Sequence, residues 1–407
     1  MKISVGLVDF ANLAANYAKG FRALGHEPYT VVFESGSFYK GFEYDFVVDG
    51  RINRLQADSC VFRKIPAKVR RRLLLATQFL KTLRTSNLCI FIYGTSFLPG
   101  HLDYPILKLF GKRIVSVFLG DDVRYPCAYE QEMTSLGLDS EIQPFLEYCR
   151  AAQDRPYSTK IKRVRSAERY ADLILSQPSM HQLQRRPYMR MNIPLDLSEF
   201  RFHLPCRERP LLLHAPSDRK VKGTEIILKA VEQLKKEGFE FEFRLIEKTP
   251  NHLLRRWLSE ADIVVDQIYS DTLATLALEA MASGNVVLSR YLPVRSRIPL
   301  DCPVINVNCH TLVARLREVI TDQELRLDLA RKGRTYVQAH HSHLKVAQEI
   351  LDWLEPEGIQ EYDFTPTFFQ KEFRVPHGLI REERKRLIRH YHQSLKKVFS
   401  STERRNN

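Results

Sequence analysis

The sequence predicts an α/β protein built from two doubly wound, Rossmann-like domains, each with a parallel sheet between helices. Short apolar strands alternate with amphipathic helices along most of the chain, and a crossover helix makes the strands that it joins parallel. The chain has 407 residues, 44% of them apolar, which is more than one ordinary core needs. A stretch at residues 192–210 is bounded by prolines and lacks helical periodicity, as an interdomain connection does.

These signals divide the chain into four parts: a first domain at residues 1–197, a linker at 198–210, a second domain at 211–354, and a crossover segment with a basic tail at 355–407. The apolar runs of the first domain predict strands at 2–9, 28–33, 88–93, 113–118 and 171–176. Those of the second domain predict strands at 211–215, 241–246, 261–266, 285–288 and 303–307. The C-terminal helices are predicted at 323–332 and 333–354, meeting at Gly333. The loop after the first strand lacks G-x-G-x-x-G, so a dinucleotide cofactor is not indicated.

The loop at residues 216–224 is the best anion site in the sequence. It leads from a strand into a helix, whose N-terminus favours negative charge. Arg219 offers planar donors, Lys222 a point charge, and Gly223 permits close backbone approach. Thr224 caps the helix. A plain basic turn is the alternative, and the Walker pattern G-x-x-x-x-G-K-[ST] is absent.

A second loop and helix, at residues 269–283, carry two acids. Asp271 lies in the loop after a strand, and Glu279 lies eight residues further on, about two helical turns deeper. In a doubly wound sheet, ligands bind beyond the carboxyl ends of the strands. Two acids repel phosphate but suit hydroxyl groups, so we expect this segment to bind the polyol part of a ligand.

A third candidate site follows the strand at residues 113–118, where Gly120 precedes Asp121 and Asp122. Neighbouring carboxylates repel, which can raise the pKa of one of them and suit it to act as a general base. An exposed acid pair in a turn, without function, is the alternative interpretation.

The composition favours a cytoplasmic protein with anionic partners. The net charge is +14, from 62 basic and 48 acidic residues, which suits nucleotides, nucleic acid, phosphorylated substrates or acidic lipid. Seven scattered cysteines without C-x-x-C argue against a disulfide framework or structural zinc. The spacing of His340, His341 and His343 does not suit a helical metal site. We find no signal peptide and no membrane-spanning stretch in the sequence.

Three basic segments have open interpretations. Residues 70–72 start a helix, and they fit either a solvated helix face or a patch for an anion or a membrane. Residues 160–165 are the most basic point of a later helical region. Residues 378–407 predict a basic amphipathic helix that packs against the first domain or docks on an anionic membrane surface, which would make the protein peripheral on the inner face of the membrane. Nucleic acid is the least favoured partner.

Residues 211–287 resemble the donor-binding half of the glycosyltransferase family 4 (group 1) enzymes, which are retaining sugar transferases of the GT-B fold. The matching motifs are R-x-x-K-G-T at 219–224, A-D-I-V-V-D at 261–266 and L-E-A-M-A-S-G-x-V-V at 278–287, the last with an acid eight residues before its Glu. The resemblance implies two Rossmann-like domains facing a cleft, with C-terminal helices that cross back to the first domain.

The resemblance also implies roles for individual residues. It assigns Arg219 and Lys222 to the diphosphate of a nucleotide-sugar, Asp271 to the sugar, and Glu279 to the ribose hydroxyls. The remaining donor-binding positions that it implies are Gly223, Thr224, Thr272, Leu273, Ala274 and Thr275. It implies a hexosyltransferase-type reaction with a hydroxyl acceptor on the first domain, in surface polysaccharide or glycolipid synthesis. The nucleotide-sugar is then a co-substrate, and neither a cofactor nor a metal is expected.

Three positions depart from the family pattern. Asp271 stands where the family usually has Glu, and Ala274 where it usually has Gly. Leu119 stands where many relatives have a His near the reacting carbon, and an apolar side chain cannot replace its hydrogen bonds. Asp122 is our substitute candidate for the catalytic group. The alternative is a catalytically degenerate GT-B protein that acts as a binding or partner subunit.

Overall fold

The computed structural model describes residues 1–34, 42–58, 66–151, 157–177 and 183–364. Within these ranges the chain forms two sheets, one of seven strands and one of five, in which all neighbouring strands are parallel. Helices cover the sheets, so the predicted α/β class with two doubly wound sheets is confirmed.

The first sheet has the strand order β3-β2-β1-β4-β5-β6-β7. Its strands are β1 (Lys2–Leu7), β2 (Glu27–Val32), β3 (Phe46–Val47), β4 (Leu88–Ile92), β5 (Arg113–Phe118), β6 (Leu173–Ser176) and β7 (Met189–Arg190). The central strands bury nearly every side chain, as expected of a parallel sheet that is covered on both faces. The carboxyl ends of β1, β4 and β5 lie along the same edge.

Five helices accompany the first sheet in the described ranges: Leu13–Ala23, Val48–Asp58, Ala67–Thr85, Asp103–Leu109 and Tyr157–Tyr170. Two further helices of this part of the chain, Pro126–Ser135 and Gln143–Ala151, pack into the core of the second sheet. Helix Ala67–Thr85 contains the predicted basic run and packs onto the sheet with Leu75 and Phe79, while Arg71 and Arg72 are exposed. The second basic run lies on helix Tyr157–Tyr170.

The second sheet has the order β12-β11-β10-β8-β9. Its strands are β8 (Leu211–His214), β9 (Glu242–Leu245), β10 (Ile263–Val265), β11 (Val286–Ser289) and β12 (Ile305–Asn306). The accompanying helices are Arg219–Lys222, Thr224–Lys236, Asn251–Leu258, Thr275–Ser283, Pro293–Ser296, Leu312–Thr321, Gln323–His340 and His343–Leu354. Strand β10, whose side chains are all buried, lies in the middle and carries the loop at 266–274 at its carboxyl end.

The predicted break at Gly333 is wrong. Helix Gln323–His340 runs through this residue without a break. Gly333 lies against Met281, and a Cβ at this position would be 3.3 Å from that side chain, so the glycine is explained by close packing. The break comes at residues 341–343 instead, where Leu195 donates its N–H to the His341 carbonyl at 2.7 Å and accepts from the His343 N–H at 2.8 Å. The glycine therefore permits close helix packing, and pairing with the chain near Leu195 interrupts the helix.

The last helix crosses back to the first sheet, as predicted. Helix His343–Leu354 packs on helix Leu13–Ala23, and at Gly20 a Cβ would lie 2.2 Å from the His343 carbonyl oxygen. Tyr188 and Phe364 then pair through their backbones and stack their rings. The predicted membrane-docking segment, residues 378–407, lies outside the described residues. Among the described helices, none is both long and apolar enough to cross a membrane.

Candidate functional site

The loop that follows β8 has the backbone that the sequence predicts for an anion site. The Asp218 carboxylate accepts the Val221 N–H at 3.0 Å and so caps the short helix Arg219–Lys222. Gly223 ends that helix with φ of +75°, and a Cβ built there would lie 2.3 Å from the Ile268 side chain. Glycine is therefore required both by the left-handed conformation and by the contact with the β10 loop.

Thr224 is held by a residue that the motif did not reveal. His214 donates its Nδ1–H to the Val265 carbonyl at 2.7 Å, which leaves Nε2 to accept the Thr224 hydroxyl at 2.9 Å. Burial lowers the pKa of His214 to about 4, so the imidazole is neutral at pH 7. The hydroxyl of Thr224 thus ties the start of its helix to β10 and is not a helix cap.

Arg219 lies at the exposed rim of this loop. Its guanidinium donates to Glu225 at 2.9 Å and to Glu247 at 3.2 Å, and all three side chains are more than a third exposed. Exposed ion pairs of this kind contribute little to stability. The guanidinium can therefore exchange these carboxylates for a ligand's phosphate at small cost.

Lys222 is buried, in contrast to Arg219. Its ammonium donates to Asp266 Oδ1 at 2.6 Å and to Gln267 Oε1 at 3.2 Å, and the Lys222 and Asp266 side chains are 9% and 0% exposed. These two contacts use two of the three N–H donors of the ammonium and leave one for a ligand. Asp266 and Gln267 follow β10, which neighbours β8, so strand order and not sequence spacing brings them to Lys222.

The loop before helix Thr275–Ser283 faces the first domain. Gln267 donates its side-chain N–H to the Thr272 carbonyl at 2.7 Å, and the Thr272 hydroxyl donates to Gln177 Oε1, beyond β6, at 3.2 Å. A cavity of about 240 Å³ opens beside this contact. Its lining combines residues of both domains: Phe10, Ala11, Leu13, Leu119, Gln177, Met191, Ile193, Ser270, Thr272, Leu273, Ala274 and Thr275.

Two of the three departures from the family pattern, Leu119 and Ala274, lie in the lining of this cavity. The third, Asp271, is completely buried. Burial first, and then the nearby Asp271 carboxylate, raise the pKa of Tyr129, which lies on helix Pro126–Ser135 of the first domain. The Asp271 carboxylate is therefore close to side chains of the first domain.

Glu279 lies about one turn into its helix and is 3% exposed, because the helix begins at Thr275 and not at Asp271. Its two oxygens accept Asn251 Nδ2 at 3.0 and 3.2 Å, and burial raises its pKa to about 7 against the opposing effect of that amide. Asn251 in turn accepts Arg255 Nε at 2.6 Å, and Arg255 pairs with Glu199 at 2.6 Å. The motif did not reveal this polar chain, which connects Glu279 to the predicted linker.

Asp122 holds the turn after β5. Its Oδ1 accepts the Gly120 N–H at 2.8 Å and the Leu119 N–H at 3.1 Å, and the side chain is 3% exposed. Burial raises the pKa of Asp122 to about 6. The neighbouring Asp121 forms an ion pair with Arg124 at 2.6 Å. The catalytic role of Asp122 stays a prediction, because these contacts show only that it orders the turn that carries Leu119.

The sequence matches no protein-family model and no curated protein sequence. Its structure is similar to sucrose-phosphate synthase from Thermosynechococcus elongatus, with a TM-score of 0.54 at 13% identity over 86% of this chain and 96% of that one. The fold is GT-B. Other GT-B structures that are similar include Anabaena HepE in complex with UDP-glucose, with a TM-score of 0.51 at 12% identity over 87% of this chain and 99% of that one. The structure is also similar to WaaG, a glycosyltransferase involved in lipopolysaccharide biosynthesis, with a TM-score of 0.50 at 13% identity over 87% of this chain and 99% of that one.

The described residues contain no group of three or more His, Cys, Asp or Glu side chains that could hold a metal ion. His341, one of the three histidines considered above, donates its Nδ1–H to the Ile193 carbonyl at 3.0 Å. The burial of His341 lowers its pKa to about 3, so it is a neutral packing residue at pH 7.

Proposed function

We propose that this GT-B protein transfers a sugar from a nucleotide-diphosphate sugar to a hydroxyl acceptor. The observation that carries the proposal is the position of the R-x-x-K-G-T loop and the Glu279 helix, which both follow strands at the carboxyl edge of the second parallel sheet. The residues that lead into the Glu279 helix line a cavity that they share with the first domain. Similar structures support a nucleotide-sugar donor, since HepE is in complex with UDP-glucose.

The reaction requires stabilisation of the diphosphate that leaves. Arg219 supplies an exchangeable planar donor, and Lys222 supplies its remaining N–H from a buried, oriented ammonium. The N-terminal backbone N–H groups of helix Thr275–Ser283 add further donors at the cavity. Glu279 would accept the ribose hydroxyls, and Asp271 would contact the sugar. Transfer with retention to a surface polysaccharide or glycolipid is the finer form of this proposal.

The groups around the reacting carbon are less polar than such a reaction usually employs. Leu119 occupies the first-domain side of the cavity, and Asp122 lies behind it with its carboxylate directed to backbone N–H groups. Asp122 is 3% exposed and is not part of the cavity lining, and its Oδ1 already accepts two backbone N–H groups, so it is poorly placed to take a proton from an acceptor. We therefore infer that Asp122 positions this turn and that transition-state stabilisation comes mainly from the diphosphate side.

Leu119 and Ala274 equally favour the second candidate function, a GT-B scaffold that binds a nucleotide or a partner without catalysis. The two functions differ in their products. We expect the wild-type chain, offered UDP-, GDP- and ADP-sugars in turn, to transfer the sugar of at least one donor to water or to an acceptor and to release the nucleotide diphosphate. Binding of a nucleotide without turnover of any donor would favour the degenerate scaffold.

Variants at the donor loop test whether this site is responsible. Arg219→Ala should weaken donor binding by about tenfold or more, since a charge-assisted contact to phosphate is lost. The matched control is Lys220→Ala, which removes an exposed cation from the next position. Lys222→Ala and Glu279→Ala should abolish binding or transfer, and wild-type activity in both would contradict the proposal.

We also propose cytoplasmic residence with peripheral attachment to an anionic membrane surface through residues 378–407, on the basis of their basic amphipathic sequence. Flotation with phosphatidylglycerol vesicles should recover a larger share of the full chain than of a chain that ends at residue 377. Equal recovery with phosphatidylcholine vesicles would contradict the electrostatic basis of this attachment.

A further inference from the structure

A second and larger cavity, of about 900 Å³, lies entirely within the first domain. Its base is formed by Leu7 and Tyr93, at the carboxyl ends of β1 and β4, and its walls come from helices Ala67–Thr85 and Tyr157–Tyr170. This position is on the same edge of the sheet as the Gly120 turn. The volume is within the range of about 300–1,000 Å³ that is typical of small-molecule sites.

The lining of this cavity is strongly cationic. Two basic runs that are about ninety residues apart in the sequence meet here and contribute six cationic side chains against two acidic ones. The cations are Arg71, Arg72, Lys162, Arg163, Arg165 and Arg169, and the acids are Asp9 and Glu34. The structure thereby favours the anion-site interpretation of the run at residues 70–72 over that of a solvated helix face.

The two acids do little to neutralise these cations. Asp9 is committed to structure, because its oxygens accept the N–H groups of Ala14 and Ala15 at the start of helix Leu13–Ala23 and the Tyr44 hydroxyl at 2.6 Å. Glu34 forms no ion pair with any described residue. Neither acid of the lining therefore forms an ion pair with a described cation of the cavity.

The cations differ in how far they are committed to partners. Arg165 is paired with Glu168 at 2.5 Å, and Arg71 stacks over the Phe33 ring, with its nearest carboxylate, that of Asp49, at 3.9 Å. Across the described part of the chain, the side chains of Arg72, Lys162 and Arg169 form no ion pair, and all three are exposed. Like charges gathered in a cleft repel each other and focus a positive potential there, which favours an anionic ligand.

The basic cavity adjoins the cleft between the domains. Phe10 is 47% exposed and lines both the 900 Å³ cavity and the 240 Å³ cavity at residues 270–275. Its ring packs edge-on against Tyr93, with the centroids 4.9 Å apart. A molecule held by the cations can therefore extend past Phe10 and present a hydroxyl group at Leu119 and Thr272.

We propose that the acceptor is anionic and that this cavity binds its phosphate group, while an adjacent hydroxyl reaches the cleft. The proposal rests on the proposed function and adds the chemical class of the acceptor. Arginine supplies planar pairs of N–H donors that match phosphate oxygens, and Lys162 adds a point charge. The phosphate can belong to a phosphorylated sugar or to the headgroup of a lipid, since both present the same chemistry to the cavity.

The test uses the full chain and the charge-reversal variant Arg72→Glu/Lys162→Glu. The matched control, Arg331→Glu/Lys229→Glu, makes the same change in net charge at exposed positions of the second domain. The soluble probes are glucose 6-phosphate and glucose, titrated by calorimetry in the presence of excess UDP to occupy the donor loop. The lipid probes are vesicles of phosphatidylglycerol and of phosphatidylcholine.

We expect the charged probes to bind and their neutral counterparts not to bind. The cavity variant should weaken binding of at least one charged probe by about tenfold or more, while the control changes it by less than about twofold. An effect on glucose 6-phosphate alone identifies a soluble acceptor, and an effect on phosphatidylglycerol alone identifies a lipid acceptor. Wild-type affinity of the cavity variant for both charged probes would overturn the proposal.

This outcome is separable from the proposed function. The fold of the cavity variant is checked by circular dichroism and by its midpoint of urea unfolding, which should match those of the wild type, so that a loss of phosphate binding is not a loss of structure. Absence of donor turnover in the wild type, together with cavity-dependent binding of the phosphate probes, would contradict the transferase and leave the anion site standing. Intact donor turnover with unchanged phosphate binding would contradict the anion site alone.

Discussion

The cations of the proposed donor loop and those of the first-domain cavity differ in whether they have ion-pair partners. At the donor loop the cations have carboxylate partners, Lys222 with Asp266 and Arg219 with Glu225 and Glu247. In the first-domain cavity, Arg72, Lys162 and Arg169 have no such partners among the described residues. A cation with a buried partner supports the fold as well as a ligand, whereas a cation without one affects chiefly the ligand. Variants in the two regions should therefore fail in different ways.

The largest effect is expected at Lys222. Lys222→Ala leaves the Asp266 carboxylate buried without its ion-pair partner, which should lower the free energy of unfolding by about 3 kcal/mol. The check is urea-induced unfolding followed by circular dichroism, with the exposed neighbour variant Lys220→Ala as the control. If Lys222→Ala were as stable as this control, the buried pair would not be part of the structural framework.

A smaller and pH-dependent effect is expected at Glu279. Its pKa of about 7 in the folded chain lies above the ordinary value of 4.5, so the folded state binds this proton more tightly than the unfolded state. Stability should therefore fall as the pH rises from about 4.5 to about 7, and Glu279→Gln should remove at most about 3 kcal/mol of that fall.

The measurement for Glu279 is the difference in unfolding free energy between pH 5 and pH 8, for wild type and Glu279→Gln. The exposed Glu324→Gln substitution is the control and should leave the difference unchanged. The same pH dependence in wild type and Glu279→Gln would show that Asn251 and the surrounding polar chain compensate the buried charge completely.

The smallest effect on stability is expected in the cavity of the first domain. Arg72→Ala and Arg169→Ala remove exposed side chains without ion-pair partners in the described residues, so the free energy of unfolding should change by no more than about 0.5 kcal/mol. Because each substitution also reduces the repulsion between neighbouring cations, a small increase in the free energy of unfolding would agree with this prediction as well. A loss of unfolding free energy as large as that of Lys222→Ala would contradict the difference that we expect between the two regions.

The fold was largely predictable from the sequence because its signals are local. Buried apolar runs separated by polar turns predict β8, β10 and β11 within one or two residues. The prediction of a helix end at Gly333 was wrong because a glycine can either end a helix or allow close packing against a neighbouring helix. Only the contact with Met281 decides between them.

The candidate sites were predictable to a lesser extent. The motifs predict the proposed donor loop and Glu279, but they do not reveal the partners of these residues. His214 and Asp266 reach the loop, and Asn251 reaches Glu279, through strand order and helix packing, which a sequence pattern does not contain. The same limit applies to the basic cavity. Residues 70–72 and 160–165 were each visible as a basic run, yet only the parallel order of β1, β4 and β5 places their helices around one concavity.

Hydrogen exchange with and without nucleotide-sugar tests the central claim most directly, because it reports where the donor binds without requiring turnover. With UDP-glucose, GDP-mannose or ADP-glucose added in turn, we expect slower exchange at residues 216–225 and 267–280 for at least one donor, and little change at 66–85 and 157–170. Protection confined to the helices of the first-domain cavity, or no protection with any donor, would contradict the assignment of the second domain as the donor site.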